Sequence, residues 1–303
     1  MQFPISHSRE CGKIDPFNKK GFDRVLQEIY IRDRFPKLMK IPSLLVLSAL
    51  AAISGAQSSD RINVAEDEAS HSAYNGGWES GKSSGTGFGA WTLRTFGGVQ
   101  HDSHAGSFIA NASTQNDLDS VATAGKAFGL FANGVDFEVA CAFRGLDAPL
   151  AVGDSFSLLM ECSNFVKKFE TDDPRPGIIG FSLRTGSASE SWDDFQNGAR
   201  MQFGFYQGEE NYQVYDGQDD HDTGVPFSDK GVSVAVTLVS PDAYDLEITQ
   251  LDTKETKKLA GRKLAGDAGA PIESFAIYNQ DGETGDAYFN GFQVSRVAAS
   301  LPR

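Results

Sequence analysis

VSVAVTLVSPDAYDLEITQL, residues 232–251, is the stretch that decides the fold class. Val232, Val234, Val236 and Leu238 alternate with smaller or polar neighbours, and Tyr244, Leu246 and Ile248 alternate with Asp245 and Glu247. A period of two with one polar face is the mark of a half-buried antiparallel sheet. Ser240-Pro241-Asp242-Ala243 lies between the two runs and supplies the turn, because proline sets φ where the ladder needs no donor. The spacing therefore predicts a hairpin.

Similar short runs, separated by Gly, Asp, Asn and Pro, recur on both sides of it. On the N-terminal side they are 90–95, 106–110, 127–132, 137–144, 155–161, 178–184, 200–206 and 212–215, and beyond it 274–278 and 287–294. No stretch after Gln57 sustains a 3.6-residue period, apart from a single turn at 117–122. About twelve short antiparallel strands with long Gly-rich connections fit an all-β fold of two packed sheets. The stretch NGGWESGKSSGTGFGAW (75–91) has no periodicity until its end and reads as a shaped surface loop.

Charge narrows the partners. The formal net charge is -14. Residues 1–56 hold nine of the 27 Lys and Arg and five of the 41 Asp and Glu, so 18 basic and 36 acidic residues remain, a net charge of -18. Such a surface repels nucleic acid phosphate and anionic lipid. The segment MKIPSLLVLSALAAISGAQSSD begins at Met39, follows Lys40 with an apolar run, and places Ser54 and Ala56 for cleavage before Gln57. It reads as a secretory signal peptide (39–56), with a run far shorter than the roughly 20 residues that cross a bilayer. Residues 1–38 fit poorly in front of a signal, so translation is expected to begin at Met39; the alternative is a cytoplasmic extension ahead of a signal anchor. Residues 57–303 are then one exported sandwich domain. Cys141 and Cys162 invite a disulfide in an exported chain. If their strands pair about Pro149, however, the two are offset beyond bridging distance, which predicts two buried thiols.

Five segments taken in order resemble a known group. They are GGWESGKSSGTGFGAWTLRT (76–95), KAFGLFAN (126–133), LAVGDSFSL (150–158), NYQVYDGQDDHDTGVPFSDKGVSVAVTL (211–238) and AIYNQDGETGDAYFNGFQV (276–294). The group is that of bacterial secreted proteins with a concanavalin A-like, laminin-G-like jelly-roll domain, which often end in a Pro-Glu-Pro sorting tail. No second apolar span follows Val294 here, which points to plain secretion. The resemblance implies a two-sheet jelly-roll sandwich and export. It implies function only by analogy, since similar sandwiches serve as lectins, glycosidases and structural modules.

The chemistry legible in the residues favours binding. Glycosidases of this fold class need a Glu-x-Asp-x-x-Glu strand to flank one glycosidic bond with carboxylates, and that pattern is absent. No Gly-x-Ser-x-Gly elbow follows a strand and precedes a helix either. Two acidic loops offer hard oxygen ligands of the kind calcium takes: Asn279, Asp281 and Asp286, with Asp216, Asp219 and Asp222 behind them. Trp78 in the Gly-rich loop and Trp192 beside Asp193 and Asp194 are the candidate ligand-binding residues, because a sugar's C–H face stacks on an aromatic ring while carboxylates accept its hydroxyls. The leading expectation is a secreted, non-catalytic, lectin-like module for a glycan or polysaccharide, bound at loops or on a concave sheet, with calcium as its one candidate cofactor. Behind it stand a structural or adhesive envelope module and, third, a glycan-cleaving enzyme. Secreted protein should have its N-terminus at or near Gln57; intact-mass analysis recovering residues 1–38 would refute the processing.

Overall fold

A computed structural model describes residues 61–97, 104–114, 118–133, 137–163, 177–187, 191–281 and 285–298. Residues 1–56, read from sequence as a leader and a signal peptide, lie outside them. Among the described residues fifteen strands form two antiparallel sheets. The strands are β1 (Arg61–Asp67), β2 (Phe88–Gly97), β3 (Ala105–Asn111), β4 (Lys126–Ala132), β5 (Glu138–Leu146), β6 (Ser155–Ser163), β7 (Ile178–Arg184), β8 (Ala199–Tyr206), β9 (Asn211–Tyr215), β10 (Asp222–Pro226), β11 (Val232–Ser240), β12 (Ala243–Gln250), β13 (Thr256–Lys263), β14 (Ser274–Gln280) and β15 (Asp286–Val297). A short helix, α1 (Trp192–Gly198), precedes β8.

The first sheet runs β13-β12-β11-β6-β15-β4-β3, with β1 alongside the later half of β15. The second runs β10-β9-β8-β7-β14-β5-β2. The all-β, two-sheet sandwich expected from the alternation is therefore the observed fold. The 232–251 hairpin forms in the register the pattern demands: Val234 faces Ile248, Leu238 faces Tyr244, and a bulge at Leu238/Ser240 leads into the Pro241 turn. Its apolar series is buried and its polar series is not.

All twelve expected strands are present, and three more were missed. β13 is the charged edge strand TKKLAGRK, β10 carries Gly224 and Pro226, and β1 is followed at once by a turn; each is an edge or short strand with weak alternation. Lysines along an exposed edge keep it from pairing with another chain. At 117–122 a single 3-10 turn forms over Leu118–Ser120.

β5 and β6 follow each other in sequence yet belong to different sheets, so no hairpin forms about Pro149. Cys141 consequently lies on the outer side of the second sheet and Cys162 in the core between sheets. Both thiols are buried and no disulfide joins them. Their separation comes from the crossover of the chain, and not from the register offset that the sequence suggested.

Between the sheets, Phe156, Val234, Leu246 and Ile248 pack against Phe181, Leu183, Phe203 and Ile277. Each such side chain contributes about 1.5–3 kcal/mol when fully buried. At the end nearest β1, aromatic rings take over: Trp91 lies 5.6 Å from Phe275, 5.5 Å from Phe292 and 5.1 Å from Trp78.

Into this aromatic cluster projects Arg144, fully buried, its guanidinium 5.0 Å from the Phe88 ring and 4.8 Å from the Trp91 ring. It donates to the buried Asp67 carboxylate, to Gly89 O at 2.8 Å and to Ser84 O at 2.8 Å. Tyr74 donates to Asp67 Oδ2 at 2.5 Å and receives Trp91 Nε1 at 3.1 Å. A buried charge persists only when paired and hydrogen-bonded in this way. The network ties β1, the Gly-rich loop and β5 together. Gly85 and Gly87 permit it: a Cβ would meet Glu66 O at 1.8 Å and Val64 O at 2.4 Å, so only glycine lets the loop press against β1. Asn290 makes a second tie, accepting from Ala69 N and donating to Val121 O and Lys126 O.

Replacing Asp67 by Asn removes the counter-charge and leaves the guanidinium buried, which should cost about 3–5 kcal/mol. Urea unfolding of Asp67→Asn against the parent chain reads this directly, and an unchanged midpoint would show that the pair carries no stability.

Candidate functional site

The outer face of the second sheet holds the most chemically distinctive surface. Because side chains alternate along a strand, the outward positions are Gln202, Gly204 and Tyr206 on β8, Asn211, Gln213 and Tyr215 on β9, Ile178, Gly180 and Ser182 on β7, and Ala276, Tyr278 and Gln280 on β14. Register places Gly180 between Gly204 and Tyr278, and Gln202 opposite Tyr215. Tyr206 and Tyr215 start from opposite ends of the β8–β9 pair, yet their rings meet at 4.8 Å. Gly204 lies between them in register and contributes no side chain, which leaves room for both rings to lean inward. Tyr215 stacks in turn on His221, 4.2 Å away at an interplanar angle of 29°. On the other flank, the Tyr206 and Tyr278 hydroxyls are hydrogen-bonded to each other.

The result is an aromatic strip that crosses the sheet from β14 to the loop before β10. Its inner end is anchored: Tyr278 is buried and packs edge-on to Phe195 of α1 at 5.4 Å. α1 is held there by the buried Arg184, which donates to Phe195 O and to Asp194 O. Its outer end is less enclosed, with Tyr206, Tyr215 and His221 each half-buried. Burial raises the Tyr206 pKa well above the ordinary phenol value, and burial with the nearby Glu209 charge pushes Tyr215 up to about 12. Both phenols therefore stay protonated and can donate. Amides complete the surface: Gln202 is half-buried beside Tyr278, and Asn211 donates to both Asp222 oxygens at 3.0 and 3.1 Å. Rings with fixed phenol and amide partners suit a ligand with apolar faces and hydroxyl edges.

By sequence, the chain matches no protein family and none of the curated proteins. By structure it is similar to several solved sandwiches. The exoplasmic/lumenal domain of VIP36, solved with Ca2+ and Man3GlcNAc, shares 11% identity over 70% of this chain and 87% of that one, with a TM-score of 0.38. A carbohydrate esterase of the Shiga toxin-encoding bacteriophage phi24B shares 13% identity over 79% of this chain and 100% of that one, at 0.43. Lectin II from Ulex europaeus shares 11% identity over 68% of this chain and 98% of that one, at 0.34. With TM-scores below 0.5, none of these decides what this chain binds.

Most of the residues singled out from sequence lie away from these rings. Trp78 is only 4% exposed and packs on Trp91 and on Phe128, at 4.9 Å from the latter; it is core and cannot present a face to a ligand. Its loop folds back because Gly81 N donates to Trp91 O and Trp91 N donates to Lys82 O. The side chains of Trp192 and Asp193 lie outside what the structure describes. Asp194 is exposed in the first turn of α1, where Ser191 Oγ accepts from its backbone N–H as a helix cap.

The described residues of the two acidic loops are engaged mostly with the protein's own donors. Asp216 is bound by Arg262 at 2.6 Å and by the Tyr244 hydroxyl at 2.5 Å, so the basic strand β13 already neutralises it. Asp222 faces Asn211 and Gly224 N, whereas Asp219 is exposed. Asn279 is buried and donates to Leu130 O and Gly285 O, Asp281 accepts from Glu138 N, and Asp286 accepts from the Tyr288 hydroxyl. Among the described residues no three His, Cys, Asp or Glu converge to hold a metal. Clustering in sequence came from turn formation and one long-range ion pair.

The strip was overlooked because its members are one or two per strand. The available signal was the alternation Gln202, Gly204, Tyr206 and Asn211, Gln213, Tyr215 on neighbouring strands, a polar and aromatic series with no carboxylate. If calcium held the acidic loops, it would stabilise the folded state by mass action. The melting temperature should instead be the same in calcium and in chelator; a rise of several degrees in calcium would restore the metal site.

Proposed function

We propose that this chain is an exported, non-catalytic carbohydrate-binding sandwich whose ligand lies on the Tyr206–Tyr215–His221 strip. The observation that carries the reading is the contiguity of those three half-buried rings, at 4.8 and 4.2 Å, with amides beside them. A pyranose offers a C–H face to an aromatic ring and hydroxyls around its rim, so ring and amide together meet both demands. Stacking asks little of sequence and tolerates many sugars, whereas Gln202 and Asn211 supply orientation.

Cleavage of the bound glycan is not part of the reading. Acid and nucleophile, or acid and base, must flank the scissile bond; the outward positions of β5, β7, β8, β9 and β14 carry no Asp or Glu, and Asp222 at the start of β10 is held by Asn211 and Gly224 N. Asp245 and Glu247 lie on the outward side of the first sheet, engaged with Gly261 N and Lys258. Trp192, at the start of α1, remains a proposed contributor, because α1 packs on the anchored end of the strip through Phe195. Export through the 39–56 signal belongs to the same proposal and would bring the module to polymers outside the cell.

Glycan-array binding by Tyr215→Ala tests the reading. An aromatic contact contributes about 0.5–1.5 kcal/mol beyond its buried area, so affinity should fall roughly tenfold or more. The half-buried ring should cost less stability than a core aromatic, and Tyr215→Phe, which keeps the ring, should retain most of the binding. A Tyr215→Ala protein that melts normally and binds its glycan undiminished would remove the strip from consideration.

A further inference from the structure

We infer that the strip accepts uncharged or amino-bearing oligosaccharides and refuses uronate and sulfated chains; this deepens the glycan reading and rests on it. Exposed carboxylates stand in the two turns that flank β9, beside the outer part of the strip. Glu209 and Glu210 stand in the β8–β9 turn, Asp219 and Asp220 in the β9–β10 turn, and Asp222 opens β10. Glu209 is close enough for its charge to act on Tyr215.

The arginines of the neighbourhood are already committed. Arg200 donates to Asp242 Oδ1 at 3.0 Å and to the carbonyls of Ala265 and Asp267, Arg262 holds Asp216, and Arg184 is buried against α1. Lys257, on β13, approaches β10 from the side, its Nζ 3.7 Å from where a side chain at Gly224 would begin.

Two physical consequences follow for a ligand stacked on Tyr215. A hydroxyl or ammonium group can donate to these carboxylates, but a carboxylate or sulfate has no proton to offer them. Its charge would also lie close to that of Glu209, which already acts on Tyr215, on a domain whose overall charge is strongly negative. Stacking energy is the same for neutral and acidic sugars, so the rim decides between them.

The test uses the purified protein against four immobilised polysaccharide sets: neutral glucans and mannans, partly deacetylated chitin, polygalacturonate, and sulfated galactans, at low and physiological salt. Binding is expected in the first two sets and should be at least about tenfold weaker to the acidic ones. The gap should narrow at high salt and in the Glu209→Gln/Glu210→Gln variant, whose melting temperature reports that it folds. Acidic polymers bound as tightly as neutral ones, with Tyr215→Ala abolishing both, would overturn the charge selection and keep the strip. Binding to no set, or binding indifferent to Tyr215→Ala, would overturn the glycan reading itself and this inference with it.

Discussion

The contact between Asp67 and Arg144 is the constraint on which the arrangement of this sandwich turns. Neither side chain touches solvent, and each would be costly to bury alone. Together they fix β1 to β5 across the two sheets. Two aromatic rings flank the guanidinium, the tyrosine at position 74 finishes the carboxylate, and the backbone of the Gly-rich loop takes the remaining donors. That loop has no periodicity, yet it becomes ordered structure because its carbonyls are needed by a buried charge.

The rest of the molecule divides its work between the inner and outer faces of the sheets. Inward positions are large and apolar throughout, and their packing holds the sheets at a fixed spacing. Outward positions of the second sheet are freed from that duty near β8 and β9, where a glycine on each of two adjacent strands leaves space above the sheet. Tyrosines from both ends of the hairpin occupy the space. The same backbone positions that would weaken a sheet by lacking side chains thus allow the aromatic strip to form.

Charge is distributed with a similar economy. The acidic excess is large, but the acids near β13 are matched by its basic residues, as in the Asp216–Arg262 pair. Around the strip Glu209, Glu210, Asp219, Asp220 and Asp222 are exposed, so the local field there is negative. Arg184 serves carbonyl groups of α1 and Arg200 those of Ala265 and Asp267, so both rigidify their surroundings instead of opposing the rim of the strip.

Alternation alone determined that this chain forms many antiparallel strands, that residues 232–251 are a hairpin with Val232, Val234, Val236 and Leu238 inward, and that two sheets must cover each other's apolar sides. Those are properties of neighbours along the chain, and a period of two is legible wherever one face is buried. Strands without that contrast, such as the lysine-rich β13, could not be read. Only the tertiary structure decided which sheet each strand joins, and with it the separation of Cys141 from Cys162, the burial of Trp78 and the capture of Asp216 by a residue 46 positions away. The convergence of Tyr206, Tyr215, Tyr278 and His221 was likewise invisible, because each is a single residue on a different strand or loop. Strand order and crossovers bring them together, and those depend on packing between segments distant in sequence, which no local pattern encodes.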